Sequence, residues 1–373
     1  MINDDTIAAI STPLGEGGIG IVRISGKDSK KILRRVFIDK NGKKPRRFFS
    51  KKLSLGFIIN PPTGERVDEV LLSYMEKPYT YTREDVVEIN CHSGWLVLKK
   101  ILSIVLDEGA RIAEPGEFTK RAFLNGRIDL SQAEAVSELI RSKTEKALKA
   151  SLDQLKGSLS EKYNNLKKEL IEVISNLEAE IDFPEEELEI LDKKTMIRKI
   201  ENIKDGLENI IDESEKGKIY RDGIKTVIVG KPNVGKSSLL NALLKEQRAI
   251  VTEIPGTTRD TIEENILIKG IPLNLIDTAG LRKAKNIIEK IGVDIAKSKL
   301  SQADLTLFVV DVSEDLTKED ETILNHIPKH KVIAVMNKSD KRINEKTLSF
   351  MEKEFPITCK ISALKEKGIK RLE

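Results

Sequence analysis

Gly230-Lys231-Pro232-Asn233-Val234-Gly235-Lys236-Ser237 reads as a phosphate-binding loop, and everything around it can be worked out from that stretch. An apolar run, Lys225–Val229, precedes it, and a helical pattern, Ser237–Leu244, follows. That strand–loop–helix setting is the one the motif requires. Glycines at these spacings let backbone N–H groups turn inward onto phosphate oxygens at a helix N-terminus. Lys236 is placed to reach the β- and γ-phosphates, and the Ser237 hydroxyl to ligate Mg²⁺.

Further apolar runs follow at Leu273–Ile276, Leu305–Val310 and Val332–Met336. Their near-continuous hydrophobicity predicts strands buried on both faces of a parallel sheet. Ligands of such sheets bind beyond the carboxyl ends of the strands, and polar motifs stand at those ends. Asp277-Thr278-Ala279-Gly280 puts a carboxylate near Mg²⁺ and a glycine N–H near the γ-phosphate. In Asn337-Lys338-Ser339-Asp340 a carboxylate can accept from N1–H and the exocyclic amine of guanine, a donor pair adenine lacks. A desolvated mismatch of that kind discriminates strongly, so the expected nucleotide is GTP. Ser362-Ala363 resembles a last guanine-contacting element, and Thr258, within Gly256-Thr257-Thr258-Arg259, is the candidate switch threonine for Mg²⁺ and the γ-phosphate. The spacing resembles the translation-factor-related GTPases.

Position 281, directly after Asp-x-x-Gly, is Leu. Ras-type enzymes place there a glutamine that orients the attacking water, and leucine cannot make that hydrogen bond. Glu289 is near enough in sequence to hold the water, or it is a solvated helix carboxylate. The Asn233 carbonyl oxygen offers a seat for a monovalent cation in place of an arginine finger.

Upstream the periodicity changes twice. Residues 1–118 mix short apolar runs (Ile19–Ile24, Leu53–Ile59, Val67–Tyr74, Val86–Ile89) with two helix-like segments, the pattern of an α+β domain. Gly15-Glu16-Gly17-Gly18 opens no helix and fails as a dinucleotide fingerprint. Residues 119–217 are helical: Leu148, Leu152, Leu155, Leu159, Tyr163, Leu166, Leu170, Val173 and Leu177 recur on one stripe, of one long helix or two stacked ones. The stripe is a packing seam or a partner surface. Ser131-Gln132-Ala133-Glu134 fits a capping box, and Asp182-Phe183-Pro184 ends the pattern. Residues 218–373 form the α/β domain.

The chain has 373 residues with 64 Lys+Arg against 60 Asp+Glu, a net charge of +4. Near balance neither requires nor excludes nucleic acid. Lys43-Lys44-Pro45-Arg46-Arg47 is the place for phosphate contacts, or simply a solvated basic loop. Cys91 and Cys359 lie far apart without metal-ligand spacing, which argues against a disulfide framework and a zinc site and favours a reducing compartment. The first residues lack a signal-peptide pattern, and no run reaches the roughly 18 apolar residues of a membrane span. The expectation is a cytoplasmic protein with no membrane contact.

Beyond the GTPase part, particular segments resemble the tRNA modification GTPase family MnmE (TrmE). They are Asp5-Thr6-Ile7-Ala8-Ala9, Gly17–Gly26, Tyr81-Thr82-Arg83-Glu84-Asp85-Val86-Val87-Glu88, Pro115–Arg127 and Asp129–Ala135, together with Gly230–Ser238, Gly256–Asp260 and Asp277–Arg282. The resemblance implies an α+β domain that dimerises and binds a tetrahydrofolate (5,10-methylene or 5-formyl), a helical bundle domain, and a Ras-like P-loop GTPase domain with a mostly parallel sheet. It implies folate contacts at Arg23, Glu88 and Arg127. It implies GTP contacts at Asn233, Val234, Gly235, Lys236, Ser237 and Ser238, along the loop Thr252, Glu253, Ile254, Pro255, Gly256, Thr257 and Thr258, and at Asp277, Thr278, Ala279, Gly280, Asn337, Lys338 and Asp340. Ser237 and Thr258 would hold Mg²⁺, and Asn233, Thr252, Ile254 and Thr257 would hold K⁺. Glu289 would position the water, and with Lys236 it completes the catalytic pair.

By the same resemblance the GTPase domains pair when K⁺ binds, in a homodimer formed through the N-terminal domain. The family works with the flavoprotein MnmG (GidA) to place an aminomethyl or carboxymethylaminomethyl group on the wobble uridine of certain tRNAs. Family members continue past the point matching Glu373 and end in Cys-x-Gly-Lys, so the helical domain here is expected to be a first half. The competing expectation is a ribosome-assembly GTPase of the Era/Der class acting as an RNA-binding switch. A folate-dependent one-carbon transferase acting alone leaves the GTPase motifs unexplained.

Overall fold

Buried and exposed positions alternate along Arg66–Met75, where Val70, Leu72 and Tyr74 are buried and Leu71 is exposed. That is how an antiparallel strand reads when only one face is covered. The strand belongs to a computed structural model that describes residues 5–183, 191–246, 264–276, 303–328 and 331–373. By the density of its contacts the chain divides into two units, Met1–Ser137 with Leu152–Asn164, and Glu138–Ser151 with Asn165–Glu373.

The first unit is built on a seven-stranded sheet ordered β3-β4-β5-β6-β2-β1-β7. The strands are β1 (Ile7–Ile10), β2 (Gly20–Ser25), β3 (Phe37–Asp39), β4 (Leu53–Ile59), β5 (Arg66–Met75), β6 (Val86–Cys91) and β7 (Arg111–Ile112). Helices α1 (Ser29–Val36) and α2 (Trp95–Asp107) send Ile32, Leu33, Leu98 and Ile101 into one core with Val22, Ile24, Leu72 and Ile89. The four apolar runs expected in this region are all strands; β1, β3 and β7 are additional. α3 (Glu117–Leu124) follows β7.

Helices α4 (Leu130–Arg141), α5 (Glu145–Leu155), α6 (Ser158–Asp182) and α7 (Lys193–Asp222) come next. The leucine stripe is divided between α5 and α6 by Gly157, whose φ of 99° suits glycine. The α4 cap differs from the expected Ser131/Glu134 box. Asp129 Oδ1 accepts from Gln132 N at 2.9 Å, and Gln132 Oε1 accepts from Asp129 N at 3.0 Å. The box is therefore shifted by two residues, because the first helical residue is Leu130 and the aspartate before it is the better N-cap.

The second unit carries a six-stranded sheet ordered β13-β12-β11-β8-β10-β9. Its strands are β8 (Ile224–Val229), β9 (Glu264–Ile268), β10 (Ile271–Leu275), β11 (Leu305–Asp311), β12 (Val332–Asn337) and β13 (Thr358–Lys360). All neighbours are parallel except β9 and β10. Those two form a hairpin around Lys269-Gly270, with φ of 48° and 83°, the double left-handed turn that matches strand twist. α8 (Lys236–Glu246) covers one face, packing Leu239 and Leu243 against Leu307 and Val309. α9 (Lys318–Leu324) and α10 (Glu345–Glu354) lie on the other face, where Met351 meets Phe308 and Val310. Burial on both faces is why β11 reads as a near-continuous apolar run. A short helix, α11 (Ile369–Leu372), ends the chain.

Candidate functional site

β8 ends at Val229 and α8 begins at Lys236, with the loop Gly230–Gly235 between them. Val234 is buried in the core beneath the loop and pins its middle. Gly235 has φ of 100°, and a Cβ there would run into the Asn337 side-chain amide. Asn233 is itself left-handed at 64°, a conformation asparagine tolerates better than most residues. Lys236 Nζ donates to the Gly230 and Lys231 carbonyls at 2.7 and 2.8 Å, folding its ammonium over the loop. Burial lowers its pKa, so an arriving phosphate meets a poorly hydrated cation.

The second loop begins where β12 ends. Asn337 donates through Nδ2 to Val234 O at 2.7 Å and accepts at Oδ1 from Ala363 N at 3.0 Å. One buried amide therefore ties the phosphate loop to both expected base-contacting elements. Asp340 Oδ1 accepts from the Ser362 hydroxyl at 2.6 Å, and that bond is the main reason its pKa is lowered. Ser339 N donates to Ile361 O at 3.0 Å. The carboxylate of Asp340 is thus ionised and aimed, as the acceptor for a pair of N–H donors must be.

Two carboxylates that were not singled out from the sequence, Asp311 and Asp320, support these loops. Lys338 Nζ pairs with Asp311 Oδ2 at 2.6 Å. Burial opposes the charge on Asp311, but Lys338 and the Ser313 hydroxyl and N–H outweigh it, and its pKa is lowered. Lys231 Nζ, inside the phosphate loop, lies 3.1 Å from Asp320 Oδ2, which also accepts from Thr317 N and Oγ1 at 2.9 and 2.8 Å. Two faint signals were available in the sequence: Asp311 ends an apolar run, and Thr317-x-x-Asp320 is a capping box.

The remaining expected nucleotide and cation contacts, Thr252, Glu253, Ile254, Pro255, Gly256, Thr257, Thr258, Asp277, Thr278, Ala279, Gly280 and Glu289, lie outside the described residues, as does Leu281. Among the described residues no group of three or more His, Cys, Asp and Glu side chains could hold a metal ion. No helix among them is long and apolar enough to cross a membrane.

Arg23 and Glu88 face each other across β2 and β6, with Nε–Oε1 at 2.8 Å and Nη2–Oε1 at 2.6 Å. The Arg23 guanidinium stands 5.6 Å from the centre of the Phe118 ring. Arg127 takes other partners: its guanidinium lies 4.7 Å above the Tyr81 ring and donates to Tyr81 O at 3.4 Å. Tyr81 Oη is 2.9 Å from Thr119 Oγ1, so successive residues of α3 touch Arg23 and the tyrosine on which Arg127 lies. A partly buried ion network joins α3 to the chain start and to Glu84. Arg121 reaches Asp5, Glu84 and Glu117 at 2.5, 3.2 and 3.1 Å, and Arg111 reaches Glu117 at 2.7 Å.

Residues 6–127 match the family described as the GTP-binding protein TrmE N-terminus, and residues 130–373 match the MnmE helical domain. A tRNA modification GTPase MnmE of Thermoanaerobacter sp. (strain X514) is 53% identical over 371 residues, covering 99% of this chain and 80% of that protein. The protein of the same description from Natranaerobius thermophilus is 49% identical over 374 residues, covering 100% of this chain and 81% of that one. Among solved structures, the G domain of the T. maritima FeoB iron transporter aligns at 29% identity, over 40% of this chain and 93% of that one. The two superpose with a TM-score of 0.30.

Proposed function

The chain belongs to the tRNA modification GTPase family MnmE, and from that membership we propose that it hydrolyses GTP in the course of modifying tRNA, with K⁺ stimulating turnover. The observation that carries the GTP reading is the Asn337 amide. It joins the phosphate loop to a base loop whose Asp340 is aligned by Ser362. Lys236, Ser237 and Ser238 serve the phosphates, and Asn337, Lys338 and Asp340 serve the guanine. The loop Thr252–Thr258 and the segment Asp277–Gly280 complete the nucleotide contacts.

Ser237 stands on the first turn of α8, where a hydroxyl fits Mg²⁺ beside a bound phosphate, with Thr258 as its partner ligand. Asn233, held left-handed in the loop, fits K⁺ together with Thr252, Ile254 and Thr257. K⁺ there would supply the positive charge an arginine finger brings elsewhere, while Glu289 orients the water that Leu281 cannot.

In this reading residues 1–118 dimerise and bind the folate, 119–217 form the helical domain, and 218–373 form the GTPase. The donor set of the first unit suits a tetrahydrofolate. A carboxylate such as Glu88 can accept from the amino edge of a pterin, and the guanidinium groups of Arg23 and Arg127 can meet its carboxylate tail. A bound 5,10-methylene- or 5-formyl-tetrahydrofolate would supply the one-carbon unit. With the flavoprotein MnmG, the product is the 5-aminomethyl or 5-carboxymethylaminomethyl group on the wobble uridine U34.

The ribosome-assembly alternative leaves the match over residues 6–127 without a role. GTP turnover measured in matched KCl and NaCl tests the cation, and equal rates would remove it. Titration with 5-formyltetrahydrofolate tests Arg23, Glu88 and Arg127; no binding by the folded chain would remove the folate.

A further inference from the structure

Between β3 and β4 the chain runs Lys40-Asn41-Gly42-Lys43-Lys44-Pro45-Arg46-Arg47-Phe48-Phe49-Ser50-Lys51-Lys52, seven cations without one carboxylate. Among the described residues no acidic side chain pairs with any of the seven. The segment is nonetheless well anchored. Asp39 Oδ1 takes the N–H groups of Asn41 and Lys43 at 2.9 and 2.8 Å, which fixes the turn at the start of the segment. Phe48 is buried against Phe37, with ring centroids 6.1 Å apart. At the far end Lys51 N donates to Tyr74 O at 2.7 Å, and Ser50 Oγ accepts from Glu76 N at 3.0 Å.

The aromatic rings give this charge its meaning. Phe49 is 56% exposed, with the Arg47 guanidinium 5.5 Å and the Lys52 ammonium 5.2 Å from its ring centre. Tyr79 is 79% exposed, with the Lys51 ammonium 5.6 Å from its ring. A phosphate surface alone needs only charge. Exposed rings set among cations offer a stacking face for an unpaired base next to a seat for its phosphate.

We propose that the Lys40–Lys52 segment, with Tyr79 beside it, is an RNA-docking platform that grips an unpaired stretch of the substrate tRNA. The proposal rests on the tRNA reading above and adds to it the surface used. The platform lies on a fixed loop of the first unit, so RNA binding here needs no nucleotide in the GTP site.

The test uses the full chain and fluorescence anisotropy over a range of KCl. The probes are an anticodon stem-loop RNA with an open loop and a fully paired RNA duplex. Phe49→Ala is expected to weaken binding of the stem-loop roughly tenfold and to change duplex binding little. Arg46→Ala with Arg47→Ala is expected to flatten the slope of log affinity against log salt by about 1.4, that is, about 0.7 for each single-strand phosphate that is no longer neutralised. All three side chains are exposed, so unfolding curves and RNA-free GTP turnover should not move. Stem-loop binding by the variants with unchanged affinity and slope overturns the platform but leaves the tRNA reading standing. Failure of the unaltered chain to bind any RNA overturns both. If phosphatidylserine vesicles bind the unaltered chain more tightly than RNA does, and lose that binding in the same variants, the surface is a lipid one and the proposal is wrong.

Discussion

The side-chain amide of Asn337 donates to the Val234 carbonyl at 2.7 Å, so the phosphate loop and the base loop share one buried hydrogen bond. Asn337→Ala strands that carbonyl together with the Ala363 N–H. An unsatisfied buried group costs on the order of 2 kcal/mol, or roughly thirtyfold in Kd. GTP and GDP should weaken together, because the bond organises the site rather than sensing the γ-phosphate. Titration with fluorescent GTP and GDP analogues decides this; a loss confined to GTP would count against it.

The Ser362 hydroxyl holds Asp340 as an ionised acceptor. Asp340→Asn replaces an acceptor with a donor, which fits the extra carbonyl of xanthine and clashes with the amine of guanine. GTP affinity should fall by about 3 kcal/mol, or more than a hundredfold, while xanthosine triphosphate gains. Competition between the two nucleotides measures the switch.

Lys338 and Asp311 act as a pair, with the aspartate almost fully buried. Asp311→Asn and Lys338→Met should each weaken GDP binding by about 2 kcal/mol, and the double variant should be no worse than the worse single. Additive losses would mean that the two side chains work independently.

Glu117 links the network to acid stability. Burial opposes its charge, but Arg111, the Glu114 N–H and Arg121 outweigh that and hold its carboxyl down to about 2. A carboxylate whose pKa is depressed in the folded state stabilises above its unfolded value, near 4.5, and loses that contribution as pH falls towards 2. Glu117→Gln should therefore cost about 3 kcal/mol at neutral pH and roughly half that near pH 3. Urea unfolding followed by Trp95, the single tryptophan and a residue of the same unit, gives the comparison at both pH values.

If Asn233 holds K⁺ as proposed, Asn233→Ala should abolish any excess of GTP turnover in KCl over NaCl while leaving GDP affinity within about threefold, since the substitution then removes a cation ligand and no phosphate N–H. Retained stimulation would assign the cation to other atoms.

Much of the second unit was legible because its strands are buried on both faces. Leu305–Val310, apart from Thr306, and Val332–Met336 are apolar throughout, and the polar motif Asn337–Asp340 at the carboxyl end of the second then marked the site. β9 escaped notice because a short run in an edge hairpin has too few positions to show a period. β13 is three residues long and carries no signal of its own. In the first unit the strands that alternate strongly were readable. β1 and β7 were not, since their identity comes from pairing with each other and with β2.

The sequence by itself determined the phosphate loop, the guanine motif and their order along strands. Those depend on local backbone geometry and on which residue types can donate or accept, and both are written in a few consecutive residues. The tertiary structure alone decided that Asn337 closes onto Val234 and Ala363, that Asp311 and Asp320 take Lys338 and Lys231, and that Phe49 stands between Arg47 and Lys52. The lysine and asparagine pairings join residues brought together only when parallel strands align. The Phe49 arrangement exists only because Phe48 is drawn into the core and leaves its neighbour in solvent.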